Sequence, residues 1–149
     1  MNNIKEKILL VDDDTLISIN EKAKIEEAGY ACDYSNSVQY AWHLLKETSY
    51  DLIILDHDLA DAKGINLIKI MKKNNIDIPI IYVSAARPQV LNEIAKIDVV
   101  QTVLPKPVSM DVILNTIKMQ ICLHKQECNL VGSNNCQSLK VQSHCDEQA

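Results

Sequence analysis

The chain has 149 residues, 47% of them apolar and 23% charged, with a formal net charge of −5. That length suits one domain with a sizeable core, and the acidic balance argues against general affinity for nucleic acid. No apolar run is long enough to cross a bilayer, and the start of the chain, Met1 to Lys7, lacks the apolar core of a secretion signal, so a cytoplasmic protein is expected.

Lys7 to Val11 is a short apolar run that ends in Asp12, Asp13 and Asp14. It reads as a strand buried on both faces. Thr15 to Ala28 follows as a helix with apolar residues at Leu16, Ile17, Ile19, Ala23, Ile25 and Ala28, a spacing only roughly helical. Aspartates at its start suit capping and the helix dipole, and Gly29 suits its C-terminal end. Tyr30 to Tyr34 is a less apolar strand, expected nearer an edge. Ser35-Asn36-Ser37 caps a helix over Val38 to Thr48, where Trp42 is expected to pack on the sheet.

Leu52-Ile53-Ile54-Leu55 is the greasiest run, and it stops abruptly at Asp56. A polar loop, His57 to Lys63, closes at Gly64. A helix with Ile65, Leu67, Ile68 and Met71 comes next. Ile78 to Val83 is a fourth buried strand, entered through Pro79. It exits through Ser84-Ala85-Ala86-Arg87-Pro88, and Pro88 suits the first position of a helix bearing Val90, Leu91, Ile94, Ala95 and Ile97. Val99 to Leu104 is the fifth strand, broken by Pro105-Lys106-Pro107. Ser109 caps a last helix with Val112, Ile113, Ile117, Ile121 and Cys122 on its apolar side.

Strands alternating with helices imply an α/β fold, a doubly wound parallel sheet with helices on both faces. Asp12, Asp13, Asp56, Ser84 and Lys106 all lie just past strand ends, and in a parallel sheet those ends share one edge, where such folds bind ligands. Carboxylates brought together repel unless a cation joins them. An all-oxygen cluster suits a hard divalent ion, Mg²⁺ above all. A site with Mg²⁺, a hydroxyl and an ammonium is suited to phosphoryl chemistry, with Asp56 as nucleophile through an acyl phosphate. No glycine-rich phosphate loop occurs, so a nucleotide site is not expected. Asp14 reads as a helix cap, and His57 as a loop residue.

Four stretches in order, Ile8 to Asp14, Asp51 to Asp56, Ile80 to Ala85 and Leu104 to Pro107, resemble a response-regulator receiver domain, the CheY-like phosphoacceptor of two-component signalling. The resemblance covers residues 7 to about 125 and implies a five-stranded flavodoxin-like sheet of order 2-1-3-4-5. It implies that Asp56 accepts a phosphoryl group from a histidine kinase or phosphotransfer protein and later loses it slowly. Asp12 and Asp13 would hold Mg²⁺ with Asp56, completed by the backbone carbonyl of Asp58. Ser84 would bind a phosphoryl oxygen, Lys106 would pair with Asp56 or its phosphate, and Pro107 would follow a cis peptide bond.

The chain departs from the family pattern at Ala60, where a proline is common, at Lys63, where an acid is usual, and at Val103, where an aromatic switch residue is expected. Asp58 adds a carboxylate expected to crowd the site. Output is expected through protein contacts on the surface of the fourth helix, fifth strand and fifth helix, with no nucleic acid and no membrane. Two alternatives are a receiver-like scaffold that is never phosphorylated and a phosphatase of the haloacid-dehalogenase type, whose nucleophile motif Asp56-His57-Asp58 resembles. The phosphatase family, however, places its acidic pair after the lysine.

The receiver is expected over residues 1–125. Residues 126–149 read as a polar, disordered tail, so a single-domain response regulator is expected. Five cysteines, Cys32, Cys122, Cys128, Cys136 and Cys145, are expected as free thiols in a reducing compartment. With His124 and His144 they are zinc-ligand types, but their spacing matches no standard finger, and incidental thiols are expected.

Overall fold

The computed structural model describes the backbone of residues 4–131 and the side chains of residues 4–124. Of the tail expected over 126–149, the backbone of residues 126–131 is described, and the rest, with Cys136, Cys145 and His144, lies outside the described residues. The chain alternates strictly: β1 (Lys7–Val11), α1 (Thr15–Glu27), β2 (Ala31–Ser35), α2 (Val38–Glu47), β3 (Leu52–Asp56), α3 (Gly64–Lys73), β4 (Ile80–Ser84), α4 (Pro88–Ala95), β5 (Val100–Pro105) and α5 (Met110–Val131). All pairings are parallel, in the order β2-β1-β3-β4-β5. The expected fold class is therefore the observed one, and the less apolar β2 is an edge strand.

Parity along each strand sorts side chains between two cores. Leu9, Val11, Ile53, Leu55, Ile80 and Tyr82 face α2, α3 and α4. Ile8, Leu10, Leu52, Ile54, Ile81 and Val83 face α1 and α5, where they meet Ile25, Ile113, Ile117 and Ile121. Both faces are covered, which is why β1, β3 and β4 read as unbroken apolar runs rather than alternating ones. Trp42 packs against the first core, as expected, with the Lys46 ammonium over its ring.

Three local details differ from the sequence reading. The strand expected from Ile78 begins at Ile80, because Pro79 has no N–H to donate; its carbonyl still accepts from Ile53. Helix α1 buries Ser18 and Ile25 and leaves Leu16, Ile17 and Ile19 exposed. Its phase is set where Asp14 caps it, the carboxylate accepting from the Ile17 amide, and that phase turns Ser18 inward. Helix α5 continues to Val131, past the boundary drawn at residue 125, with Ser109 Oγ accepting from the Val112 amide at its start. Val112 itself is exposed, while Gln120 is buried and donates to Thr102 Oγ1.

The two described glycines are both placed for a reason. Gly29 has φ +106° just past the end of α1, a conformation that costs glycine nothing. Gly64 opens α3 so close beneath β3 that a methyl group there would collide with the Asp56 carbonyl. Among the cysteines, Cys32 is free and buried. Cys122 is disulfide-bonded, which departs from the expected free thiol.

Candidate functional site

The C-terminal ends of β1, β3 and β5 deliver the acids and the lysine to one place. Asp12 and Asp56 are almost fully buried, and Asp13 is exposed. One carboxylate oxygen from each of the three lies within 4.8 Å of the others. Asp12 is held firmly: its amide donates to the Ser35 carbonyl, its Oδ1 accepts from the Asp14 amide at 3.0 Å, and its carbonyl accepts from the Tyr34 hydroxyl at 2.8 Å. Asp14 is the helix cap expected of it and stands outside the cluster.

Lys106 reaches in from the far side. Its ammonium lies 3.0 Å from Asp56 Oδ1 and 3.8 Å from Asp12 Oδ2. The Lys106 amide donates to the Ser84 carbonyl, which fixes its approach. The Lys106–Pro107 bond is cis, as the resemblance implied. Burial raises the Asp12 and Asp56 carboxyls above the usual range, and the ammonium offsets only part of that. Burial alone would lower Lys106; its bond to Asp56 and the Asp12 charge outweigh it and hold the ammonium above its ordinary value. One ammonium for three carboxylates leaves a net negative site of hard oxygen donors. The donor set fits a small divalent cation such as Mg²⁺.

These groups open onto a cavity of about 500 Å³ between α1 and the start of α5. Its walls include Ile17, Ile54, Val83, Val108 and Ile113, and two further acids, the capping Asp14 and Glu21. Burial, followed by the nearby Asp12, pushes the Glu21 carboxyl up to about 7. The sequence reading passed over Glu21. Its signal is the inward stripe Asp14, Ser18, Glu21, Ile25, visible only once the phase of α1 is known.

Other expected site residues are placed differently. Ser84 is buried at the end of β4 beside the site, but its hydroxyl accepts from the Ala86 amide at 2.8 Å and it does not line the cavity. Asp58 follows Asp56 in the loop, yet its carboxylate is exposed and pairs with Lys63. That pairing, more than any other effect, lowers its carboxyl. The two departures from the family pattern thus neutralise each other, and the Asp58 side chain does not join the acid cluster. Asp61 bolts the same loop to α2: its two oxygens accept from the Val38 and Gln39 amides at 2.8 and 3.0 Å.

A doubly wound sheet with an acid cluster and a lysine at its C-terminal edge defines a class of small α/β domains that bind their ligands at that edge. Residues 8–118 match the response regulator receiver domain, and the chain belongs to that family: it is the receiver domain of a two-component response regulator. It is 33% identical over 93 residues to the transcriptional regulatory protein PmrA of Pectobacterium parmentieri, covering 62% of this chain and 41% of the relative. It is 28% identical over 122 residues to BasR of Escherichia coli, covering 81% and 54%. The chain thus spans about half the length of these relatives. Among solved structures, the receiver domain of the Francisella response regulator 1452 superposes with a TM-score of 0.73 at 30% identity, covering 78% of this chain and 97% of that one.

Proposed function

We propose that this receiver accepts a phosphoryl group on Asp56 from a histidine kinase or histidine phosphotransfer protein. The observation that carries the reading is the Lys106 ammonium 3.0 Å from Asp56 Oδ1, beside three carboxylates close enough to share one cation. An Asp56 oxygen forms the new bond to phosphorus as the P–N bond to the donor histidine breaks; the imidazole nitrogen keeps the electron pair and takes a proton. Lys106 stabilises charge on the phosphoryl oxygens. Asp12, Asp13 and Asp56, with the Asp58 carbonyl, would hold Mg²⁺, which when bound neutralises further negative charge. The Ser84 hydroxyl would have to leave the Ala86 amide to meet the phosphoryl group.

Output runs through protein contacts on the α4–β5–α5 surface, where β5 is an edge strand and Val90 and Val112 are exposed. Incubation with Mg²⁺ and acetyl phosphate, followed by intact-mass measurement, tests the reading. One phosphoryl adduct is expected, absent without Mg²⁺ and absent in Asp56→Ala. An adduct that persists in Asp56→Ala overturns the assignment.

A further inference from the structure

Consecutive residues in a strand point to opposite faces. Asp56 faces α1 and the cavity, so the next side chain, His57, is delivered to the face covered by α2, α3 and α4. There it meets Tyr82, the largest side chain that is fully buried. The Tyr82 hydroxyl lies 2.7 Å from His57 Nδ1, and the two rings stand edge to face at 5.9 Å. A phenol in an apolar core must satisfy its hydroxyl; Tyr82 does so with the His57 ring and with the backbone of Ile65 at the start of α3. Tyr82 itself stands in register between Leu55 on β3 and Val103 on β5.

His57 is also pinned through its backbone. Its amide donates to the Val83 carbonyl and its carbonyl accepts from the Gly64 amide at 2.7 Å. The segment that carries both Asp56 and Asp58 is therefore held at His57 by backbone bonds to β4 and α3 and by one side-chain hydrogen bond to Tyr82 of β4. Position 103, where an aromatic ring was expected, holds only a half-buried valine against this core. The polar side-chain contact that runs from the Asp56 loop into the sheet on this face is Tyr82 to His57.

We propose that Tyr82 is a positioning residue for the Asp56 site, acting through His57, and that the row His57–Tyr82–Val103 carries the state of Asp56 across the sheet to β5. The proposal rests on the reading of Asp56 as phosphoacceptor. Tyr82 touches neither metal nor phosphoryl group; it holds the loop that does. A shift of the Asp56 loop moves His57, and the hydroxyl transmits that shift to a ring wedged against β5.

The test uses beryllofluoride with Mg²⁺, which mimics an acyl phosphate, on wild type, Tyr82→Phe, His57→Leu and the double variant. Tyr82→Phe removes the hydroxyl and keeps the ring, and His57→Leu breaks the same bond from the loop side should the core variant fold poorly. Beryllofluoride affinity is expected to fall about three- to tenfold in each single variant, the equilibrium worth of one net hydrogen bond. The second substitution should cost nothing further in the double variant. Shifts of the Val103 methyl resonances on beryllofluoride binding, clear in wild type, should shrink in Tyr82→Phe. Wild-type affinity and wild-type Val103 shifts in Tyr82→Phe, or additive losses in the double variant, overturn the proposal alone. A wild-type protein that takes up no beryllofluoride overturns the phosphoacceptor reading and this proposal with it.

Discussion

Replacing Glu21 by Gln should stabilise the metal-free protein at alkaline pH and do nothing at acid pH. Glu21 is half-buried against the cavity, and no hydrogen bond or ion pair to a described residue holds it. Burial, and then the Asp12 charge, raise its carboxyl from 4.5 to about 7. Because the folded value lies above the unfolded one, the folded state keeps the proton over a range where the unfolded chain has lost it. Stability therefore falls as pH rises from about 4.5 to about 7 and is level beyond. A shift of that size corresponds to about 3 kcal/mol, and solvent screening of a half-buried group reduces it to about 1–2 kcal/mol. Glu21→Gln should thus gain about 1–2 kcal/mol at alkaline pH, with the gain vanishing near the ordinary carboxylate value. Urea denaturation across that range, in chelator, measures it. The raised Asp12 and Asp56 carboxyls slope the same way but are common to both proteins and cancel in the difference. A stability difference that does not change with pH would refute the reasoning.

Other substitutions test the frame around the site. Gly64→Ala places a methyl against the Asp56 carbonyl. It should cost about 1–3 kcal/mol as overpacking in thermal or chemical denaturation, and should also weaken Mg²⁺ binding. Asp61→Ala removes two bonds at the start of α2; a loss of about 0.5–2 kcal/mol is expected from the missing cap, read in a urea melt. Asp58→Asn should change Mg²⁺ affinity and phosphoryl half-life little, because that carboxylate is exposed and engaged with Lys63. A severalfold change in either would show that Asp58 reaches the site after all.

The strands were legible because both faces of the sheet are covered, which leaves β1, β3 and β4 as uninterrupted apolar runs that lead into Asp12, Asp56 and Ser84. Asp12, Asp13, Asp56 and Lys106 followed from one topological fact, that parallel strands end together. What stayed hidden were orientations. The phase of α1 depends on where Asp14 caps it, so Leu16, Ile17 and Ile19 looked like core while Ser18 and Glu21 took the inward positions. The Ser84 hydroxyl could as well face a ligand as the Ala86 amide, and spacing does not distinguish the two. Asp58 read as an intruder because its neutralising partner, Lys63, meets it only when the loop folds back on itself, with Asp58 bridged to Lys63. The continuation of α5 to Val131 was masked by residues common in loops.

One carboxylate serves two masters in this fold. Asp61 belongs to the loop that leaves the Asp56 strand, yet it supplies acceptors for the first amides of α2. Whatever displaces that loop also strips the acceptors from the first two amides of α2 and leaves its start to the Ser37 cap alone. The amides of Val38 and Gln39 therefore act as a built-in gauge. Their hydrogen-exchange rates report the loop's position from a place no ligand touches, and a partner reading α2 would sense the site through a fraying helix end rather than through a moving surface.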